Sequence, residues 1–303
     1  MSADAILPGF LRHVQACNRH DLTGFRPFAV GGRTVGHVRP GFLRKLSAMG
    51  PPFVADGDGL ALHPGLESPA GRTRAMSQAL ARLVDEGEIP PLRGEMYAVG
   101  PGWGRPALME MDRAAVPFFG VTAYGLHVNG FVRRPDGIHL WVARRSADRA
   151  VAPGRYDNLV AGGQPAGLSL AENLVKEAGE EAALPPALAR RAVPVGAVTY
   201  LMEQPHGLKP DVLFLYDLEL PADFIPHNTD GEVERFELWP LSRVAASVRD
   251  SDDWKFNVNL TVIDFLIRHG WLTPAHPEYL DLCQGLRRPL FPVAPDYTNP
   301  PKV

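Results

Sequence analysis

Cysteine is scarce: the 303 residues hold only Cys17 and Cys283, far apart in sequence. That excludes a disulfide framework and a cysteine-paired metal site, and it predicts a reducing compartment. No apolar run reaches the ~18–20 residues that span a bilayer, so no membrane partner is expected. Neither sign of charge dominates. The formal net charge of −3 excludes the broad basic footprint of a nucleic-acid-binding protein. The ten histidines form no H-E-x-x-H or comparable ligand pattern, and no G-x4-G-K-S/T loop offers a kinase-type phosphate cradle. The opening stretch, MSADAILPGFLRHVQACNRH, lacks the basic start and long apolar core of a secretory signal. A cytoplasmic location is therefore expected.

What is present reads as an alternation of helices and strands. Residues 5–19 have helical apolar spacing. RPFAVGGRTVGHVRP, 26–40, reads as strand, Gly-Gly turn and strand, followed by a helix with Pro40 in its first turn. Residues 72–87 suit a helix closed by Gly87, and LRGEMYAVG suits a strand. A boundary is placed near residues 111–117. Beyond it, FFGVTAYGLHVNGFVRR and HLWVARRS read as strands joined at Pro135–Gly137, and VGAVTYLMEQ and DVLFLYDLEL as strands linked by a loop at Pro205–Pro210. RFELWPLSRVAASV runs from strand into helix, and residues 256–270 form an amphipathic helix stopped by Gly270. The end, RRPLFPVAPDYTNPPKV, is too rich in proline for regular structure.

One segment suggests a reaction: GGQPAGLSLAENLVKEAGEEAAL, Gly162 to Leu184. Ser169 and Glu172 form a capping box that starts a helix near Leu170, and Leu184-Pro185-Pro186 ends it. At ~100° per residue from Leu170, Leu174, Ala178, Ala171, Ala182 and Val175 share a core face spanning ~40–140°. Glu181 falls at ~20°, inside the arc between Leu170 and Leu174, while Glu177 and Glu180 at ~340° and ~280° lie along one margin of that face. A carboxylate directed into a packed face must be neutralised or paired. Lys176 adjoins Glu180 but lies far around the helix from Glu181. A bound cation is the economical partner for Glu177, Glu180 and Glu181. Oxygen ligands without nearby His or Cys suit Mg²⁺ or Mn²⁺. The pair Gly162-Gly163 reads as a turn that lets backbone approach that ion closely. Of the adjacent Arg144 and Arg145, strand alternation sends one to each face, and Arg144 is favoured to grip a phosphate. Asp157 reads as a turn residue that fixes the glycine loop. Trp141, Trp239 and Trp254 read as core or interface residues rather than ring-stacking ones.

The segment resembles the Nudix box, G-x5-E-x7-R-E-U-x-E-E-x-G-U with U apolar. Gly162, Glu177, Glu180 and Glu181 match it, with Ala178 and Leu184 at apolar places. Leu168 stands for the first glutamate, Lys176 for the arginine and Ala183 for the last glycine. The resemblance extends through FRPFAVGGRTVGHVRPGF, RYDNLVAGGQPAG, DVLFLYDLELP, DGEVERFELW and NLTVIDFLIRHG. Together these are similar to the Nudix subfamily related to thiamine pyrophosphokinase, which carries an N-terminal domain of formerly unknown function. The resemblance implies an α/β (α+β) architecture, with a Nudix α/β/α sandwich and mixed sheet behind a small α+β domain. It implies that Glu177 and Glu181 hold the metal, that Glu180 is a further ligand or base, and that Glu232, in a later loop, lies near the attacking water.

The expected organisation is an N-terminal domain at 1–115, a Nudix domain at 116–250, and a C-terminal helix and proline-rich tail at 251–303. The expected function is Mg²⁺-dependent cleavage of a small-molecule diphosphate. The resemblance implies thiamine diphosphate, or its oxo and oxy forms, as substrate. A ligand-binding regulatory Nudix module and a Nudix isomerase are the alternatives. Analogy with the family suggests a homodimer.

Overall fold

The computed structural model describes residues 9–149 and 151–291. The first part of the helical spacing at 5–19 and most of the proline-rich end lie outside them. The described chain opens with α1 (Leu11–Cys17) and a 3-10 turn at Leu22–Gly24. Helix α1 buries Phe10, Val14 and Cys17 among C-terminal residues such as Ile263 and Leu282, not against the strands that follow it.

The next elements form a compact unit. Strands β1 (Arg26–Val30) and β2 (Arg33–Val38) make a hairpin across Gly31 and Gly32. Both glycines take positive φ, 58° and 73°, as the expected tight turn requires. Helix α2 (Pro40–Met49), β3 (Phe53–Asp56) and β4 (Gly59–Leu62) complete a sheet of order β2-β1-β4-β3. Helix α3 (Pro69–Asp85) begins ahead of the expected residue 72, because the Ser68 side chain accepts from the Gly71 N–H and caps it there. Strands β5 (Met96–Val99) and β6 (Met109–Asp112) pair as a separate ribbon.

The expected strand at Phe118–Gly120 is instead the end of a helical turn, α4 (Val116–Phe119), closed by Gly120 in the left-handed region. Phe119 leaves the following sheet and enters the preceding core. Its ring centroid lies 5.0 Å from Phe28, 5.3 Å from Phe42 and 6.3 Å from Phe53. Burial of the ring overrides the β preference of an aromatic run.

The second sheet contains β7 (Ala123–Arg134), β8 (Gly137–Arg145), β9 (Tyr156–Asp157), β10 (Val160–Gly163), β11 (Val193–Gln204), β12 (Gly207–Glu219) and β13 (Val233–Pro240). Its order is β11-β12-β7-β8-β13, with β10 on β7 and β9 on β8. Only β12 runs parallel to β7, so the sheet is mixed. The far end of β7 pairs with β8, and its near half pairs with β10 from Val128 to Gly125. The loop expected at Pro205–Pro210 shrinks to a turn at Pro205 and His206. Pro210 is a strand residue, tolerated because β7 begins pairing one residue later, at Asp211.

Helices cover both faces, giving α/β/α layers. On one side lie α5 (Leu170–Ala182) and α6 (Pro186–Ala189), with Leu174, Ala178 and Ala182 against Leu126, Val128 and Trp141. On the other lie α1, α7 (Leu241–Asp250), α8 (Val258–Arg268) and α9 (Tyr279–Gly285). A buried polar chain crosses this interior. The Thr261 hydroxyl donates to Asn158 Oδ1 at 2.7 Å, Asn158 Nδ2 to Asn129 Oδ1 at 2.8 Å, and Asn129 Nδ2 to Asp217 Oδ1 at 3.2 Å. Arg268 closes it with two bonds to Asp217, 2.6 and 2.9 Å. The chain ties α8 to residues just ahead of β10. His127 joins it at 2.8 Å from Asn158 Oδ1; burial pushes its pKa down to about 4, so the ring is neutral.

Phe119→Ala is expected to lower stability by about 3–5 kcal/mol, the usual cost of emptying a packed phenylalanine site. Denaturant unfolding checks it. A loss no larger than that of a surface substitution would contradict the packing of α4 on the N-terminal core.

Candidate active site

Helix α5 begins and ends through identifiable contacts. Ser169 Oγ accepts from the Glu172 N–H at 3.2 Å, and Glu172 Oε2 accepts from the Ser169 N–H at 2.9 Å, the reciprocal cap expected from sequence. At the other end the carbonyls that lack helical partners are met by the loop ahead of β13. His227 N–H donates to Ala182 O at 3.4 Å, Asn228 Nδ2 to Glu181 O at 3.3 Å, and Thr229 Oγ1 to Glu180 O at 2.7 Å. This docking also sets where Glu232 stands.

The buried face of α5 is Asn173, Leu174, Ala178, Glu181 and Ala182. It is rotated toward the glutamate margin, and Ala171 is exposed. The rotation follows from how closely α5 lies on β10. A Cβ added at Gly162 would fall 2.5 Å from Cγ and Cδ of Glu177, so only glycine admits that side chain. Gly162 and Gly163 are therefore not a turn. They are paired strand residues, opposite Leu126 and Gly125, needed for close approach rather than for unusual φ.

The three glutamates meet different surroundings. Glu181 is buried, and its Oε2 accepts from the Ala161 N–H at 2.8 Å. Burial raises its pKa well above the usual carboxylate range; Asp157, Glu177 and Glu232 add to this against the Ala161 bond. Among the described residues no lysine or arginine lies within ion-pair distance of it. Glu177 is also raised, first by burial, with Lys176 opposing. Glu180 is half exposed. Lys176 Nζ bridges the pair, 3.0 Å from Glu177 Oε1 and 2.9 Å from Glu180 Oε2. Burial works against the charge of Lys176, yet its bonds to Glu180 and Glu177 hold its pKa above the ordinary value.

Among the described residues no three His, Cys, Asp or Glu groups converge in a metal-holding arrangement. Glu177, Glu180 and Glu181 share one helix edge without meeting at one point. The donor chemistry nonetheless fits a hard divalent ion: oxygen throughout, two carboxylates burdened by burial and mutual repulsion, and a lysine ammonium as the counter-charge to Glu177 among the described residues.

Glu232 lies on the adjoining loop, near enough to add to the field on Glu181, and pairs with Arg149 at 2.8 Å. Glu234 points elsewhere and pairs with Arg235. Arg144 is not brought to this site. Trp141 shares the α5 side of the sheet, whereas Leu140 and Val142 face α7 and α8. Alternation sends Arg144 with Leu140 and Val142, where its guanidinium covers the Tyr156 ring at 4.8 Å. Arg145 takes the α5 side and is consumed by Asp157 at 2.7 Å. Burial opposes ionisation of Asp157, but Lys255 and Arg145 outweigh it and hold its pKa low.

Sequence reading missed the residues that build the loop and the far wall. Gln164 Nε2 donates to Leu168 O at 2.7 Å, and Asn173 Nδ2 donates to Gly163 O at 2.7 Å. These amides hold the loop whose first glutamate is absent. The N-terminal unit supplies the rest: Ala166 N–H donates to Met96 O at 2.7 Å, and the Tyr97 hydroxyl occupies the space a Cβ on Gly163 would need. Burial raises the Tyr97 pKa. Arg113, paired with Glu95, faces Tyr97 and Glu232. Trp103 stands 49% exposed in a Gly- and Pro-rich loop. That loop, GPGWGRP, offers an indole no apolar neighbours of its own, which was a legible signal. Trp141, Trp239 and Trp254 are buried, as their core reading required.

Ala183 occupies the last box glycine's place with φ 50°, a left-handed conformation that penalises a Cβ. Ala183→Gly is expected to raise stability by about 0.5–1 kcal/mol in denaturant unfolding, after the added freedom of the unfolded chain is subtracted; a loss would contradict that conformation. Gly163→Ala is expected to lower stability, and Tyr97→Phe to restore part of it in the double variant. Strictly additive effects would contradict the Tyr97–Gly163 contact.

Comparison with known proteins bears on this geometry. A family described as "Domain of unknown function (DUF4743)" matches residues 9–123. The chain is 44% identical over 285 residues to Nudix hydrolase 24, chloroplastic, of Arabidopsis thaliana, covering 93% of this chain and 78% of that protein. Nudix hydrolase 20, chloroplastic, of the same plant is 42% identical over 292 residues, with the same coverage of 93% and 78%. An uncharacterized Saccharomyces cerevisiae protein is 32% identical over 241 residues, covering 73% of this chain and 69% of that one. The expected cytoplasmic location is not sustained, since both plant relatives are chloroplastic by name. Scarce cysteine speaks to redox state and does not choose among reducing compartments. Among the described residues no helix is long and apolar enough to cross a membrane.

Proposed function

The chain belongs to the Nudix hydrolase family, a family of pyrophosphohydrolases that generally use a divalent metal, and from that premise we propose that it cleaves the diphosphate of thiamine diphosphate or of its oxo and oxy analogues. The products are the corresponding monophosphate and inorganic phosphate, with one water consumed. The substrate class rests on the stretches similar to the thiamine-related subfamily and on the match of residues 9–123 to a domain that precedes the catalytic one. In the proposed division into 1–115, 116–250 and 251–303, the described residues of the first part wall the site, the second carries the chemistry and the described residues of the third support the sheet.

The observation that carries the reading is Glu181: a buried carboxylate with neighbouring acids, a single backbone donor and, among the described residues, no cationic side chain at ion-pair distance. Such a group costs several kcal/mol unless a cation completes it. Glu177 and Glu181, with Glu180 beside them, are the proposed holders of Mg²⁺ or Mn²⁺. When bound, the ion supplies Lewis-acid neutralisation of the diphosphate oxygens. Lys176 pairs with Glu177 and Glu180 until then, and its long stem lets it swing clear. Gly162 lets Glu177 lie flat against the strand. Glu232, held by Arg149, is the favoured general base, because Glu180 is turned outward to Lys176. It would take the proton from the water attacking phosphorus.

Glu181→Gln is expected to cut phosphate release from thiamine diphosphate with Mg²⁺ by at least about 10²-fold, the lower bound for losing a group that acts on proton or charge transfer. Without metal its thermal midpoint should not fall, since the amide keeps the Ala161 bond and sheds a buried charge. A phosphate-release screen with thiamine diphosphate and its oxo and oxy forms, and with ADP-ribose and nucleotide sugars followed by a phosphatase, each with and without Mg²⁺, reads the first; a thermal melt of the metal-free variant reads the second. Unchanged turnover in the variant would sink the assignment.

A further inference from the structure

Beside the acidic helix lies a cavity of about 280 Å³ that the chemistry of hydrolysis does not use. It is walled by the N-terminal unit on one side and by the box loop on the other. Tyr97 connects it to the acids: the same side chain lines the cavity and seats its hydroxyl on Gly163, next to the glycine that carries Glu177. Whatever fills the cavity therefore adjoins whatever binds at the glutamates.

Its walls are aromatic and nearly uncharged. Trp103 is 49% exposed, an unusual state for the largest apolar side chain. Its indole packs on two rings, with centroids 4.9 Å from Tyr124, which also lines the cavity, and 4.6 Å from Phe214, at interplanar angles of 52° and 53°. Bracing fixes the ring while leaving it open to the cavity. Leu168, 38% exposed and standing where a glutamate belongs in the box, also lines the cavity. No carboxylate lines the cavity, and Arg105 is its one charged lining residue. The loop keeps its shape without a carboxylate at residue 168, because Gln164 and Asn173 hold it. Position 168 is thereby freed to be apolar.

We propose that this cavity is the site for a planar heteroaromatic ring borne on the diphosphate, with Trp103 as the stacking and specificity-determining residue and Leu168 as an apolar wall. The inference rests on the diphosphate hydrolase reading and adds what the enzyme recognises beyond the diphosphate. A volume near the lower limit of small-ligand pockets, about 300 Å³, takes one or two small rings and rejects a second nucleoside. The leucine at residue 168 belongs to this specificity: it gives the ring an apolar surface.

The test compares the wild-type chain, Trp103→Ala and Trp103→Phe by two measurements. One is steady-state hydrolysis of thiamine diphosphate with Mg²⁺. The other is calorimetric titration with thiamine monophosphate, which needs no turnover. Loss of one stacked ring is expected to raise KM and Kd about tenfold, to leave kcat nearly unchanged, and to be largely restored by phenylalanine. Equal Kd for the wild type and Trp103→Ala, a loss confined to kcat, or no binding to the wild type overturns the ring site. A Trp103-dependent Kd without any hydrolysis supports the ring site and counts against the hydrolytic reading alone.

Discussion

The close contact of one helix with one strand governs the site. Helix α5 lies so near β10 that the Glu177 side chain fills the place of a Cβ on Gly162, and Glu181 reaches the Ala161 N–H. Separation by even a methyl group would relieve both carboxylates of their burial. The helix cannot take that relief, because it is fastened at both ends, by Ser169 and Glu172 at the start and by the 227–229 loop at its last carbonyls. The strand is held in turn by β7 and by the polar chain from Thr261 through Asn158 to Asp217. Two acids are thus retained in surroundings that disfavour their charge, the condition under which a bound cation gains most.

The N-terminal unit is part of this construction. Phe119 anchors it through three phenylalanines of its own core, while the next residues lead straight into β7. From that anchor β5 delivers Met96 O to the box loop and Tyr97 to Gly163. The loop is consequently gripped from two sides, by Asn173 of the helix and by the ribbon of the other unit. A chain cut near residue 115 would lose half of the loop's support together with the open face of Trp103. That dependence explains why the similarity to the plant relatives runs through both units rather than stopping at the box.

Local periodicity and caps made the α5 helix, its first residue and the placement of Glu181 among apolar neighbours legible in the sequence. The β1–β2 hairpin was equally plain, since two glycines at positive φ admit few alternatives. Errors arose where a distant partner decides. Phe118 and Phe119 read as strand because their destinations, the rings of Phe42 and Phe28, lie far back in the chain. Gly162 and Gly163 read as a turn because sequence does not show Glu177 and Tyr97 lying across them. Arg144 read as a phosphate ligand because alternation separates it from Arg145 without saying which face holds α5; Trp141 settles that only once the layers are known. The cavity of Trp103 joins residues from 97 to 168 and has no local signature.

The three departures from the box have three separate physical meanings. Lys176 keeps the positive charge of the arginine but concentrates it on one nitrogen, which reaches Glu177 and Glu180 together; a point charge on a flexible stem can be displaced more readily than a guanidinium fork. Ala183 keeps the left-handed end of the helix and accepts its strain, because the Leu184 N–H still donates to Ala178 O at 3.0 Å and Leu184 is buried beyond it. Leu168 alone changes the chemistry of the loop. The loop is held by Gln164 and Asn173, which donate to the backbone carbonyls of Leu168 and Gly163. The first two changes preserve the frame and alter only how firmly it is held. The third is tolerated because the frame is preserved, and it puts an apolar surface at residue 168 that can meet a ring.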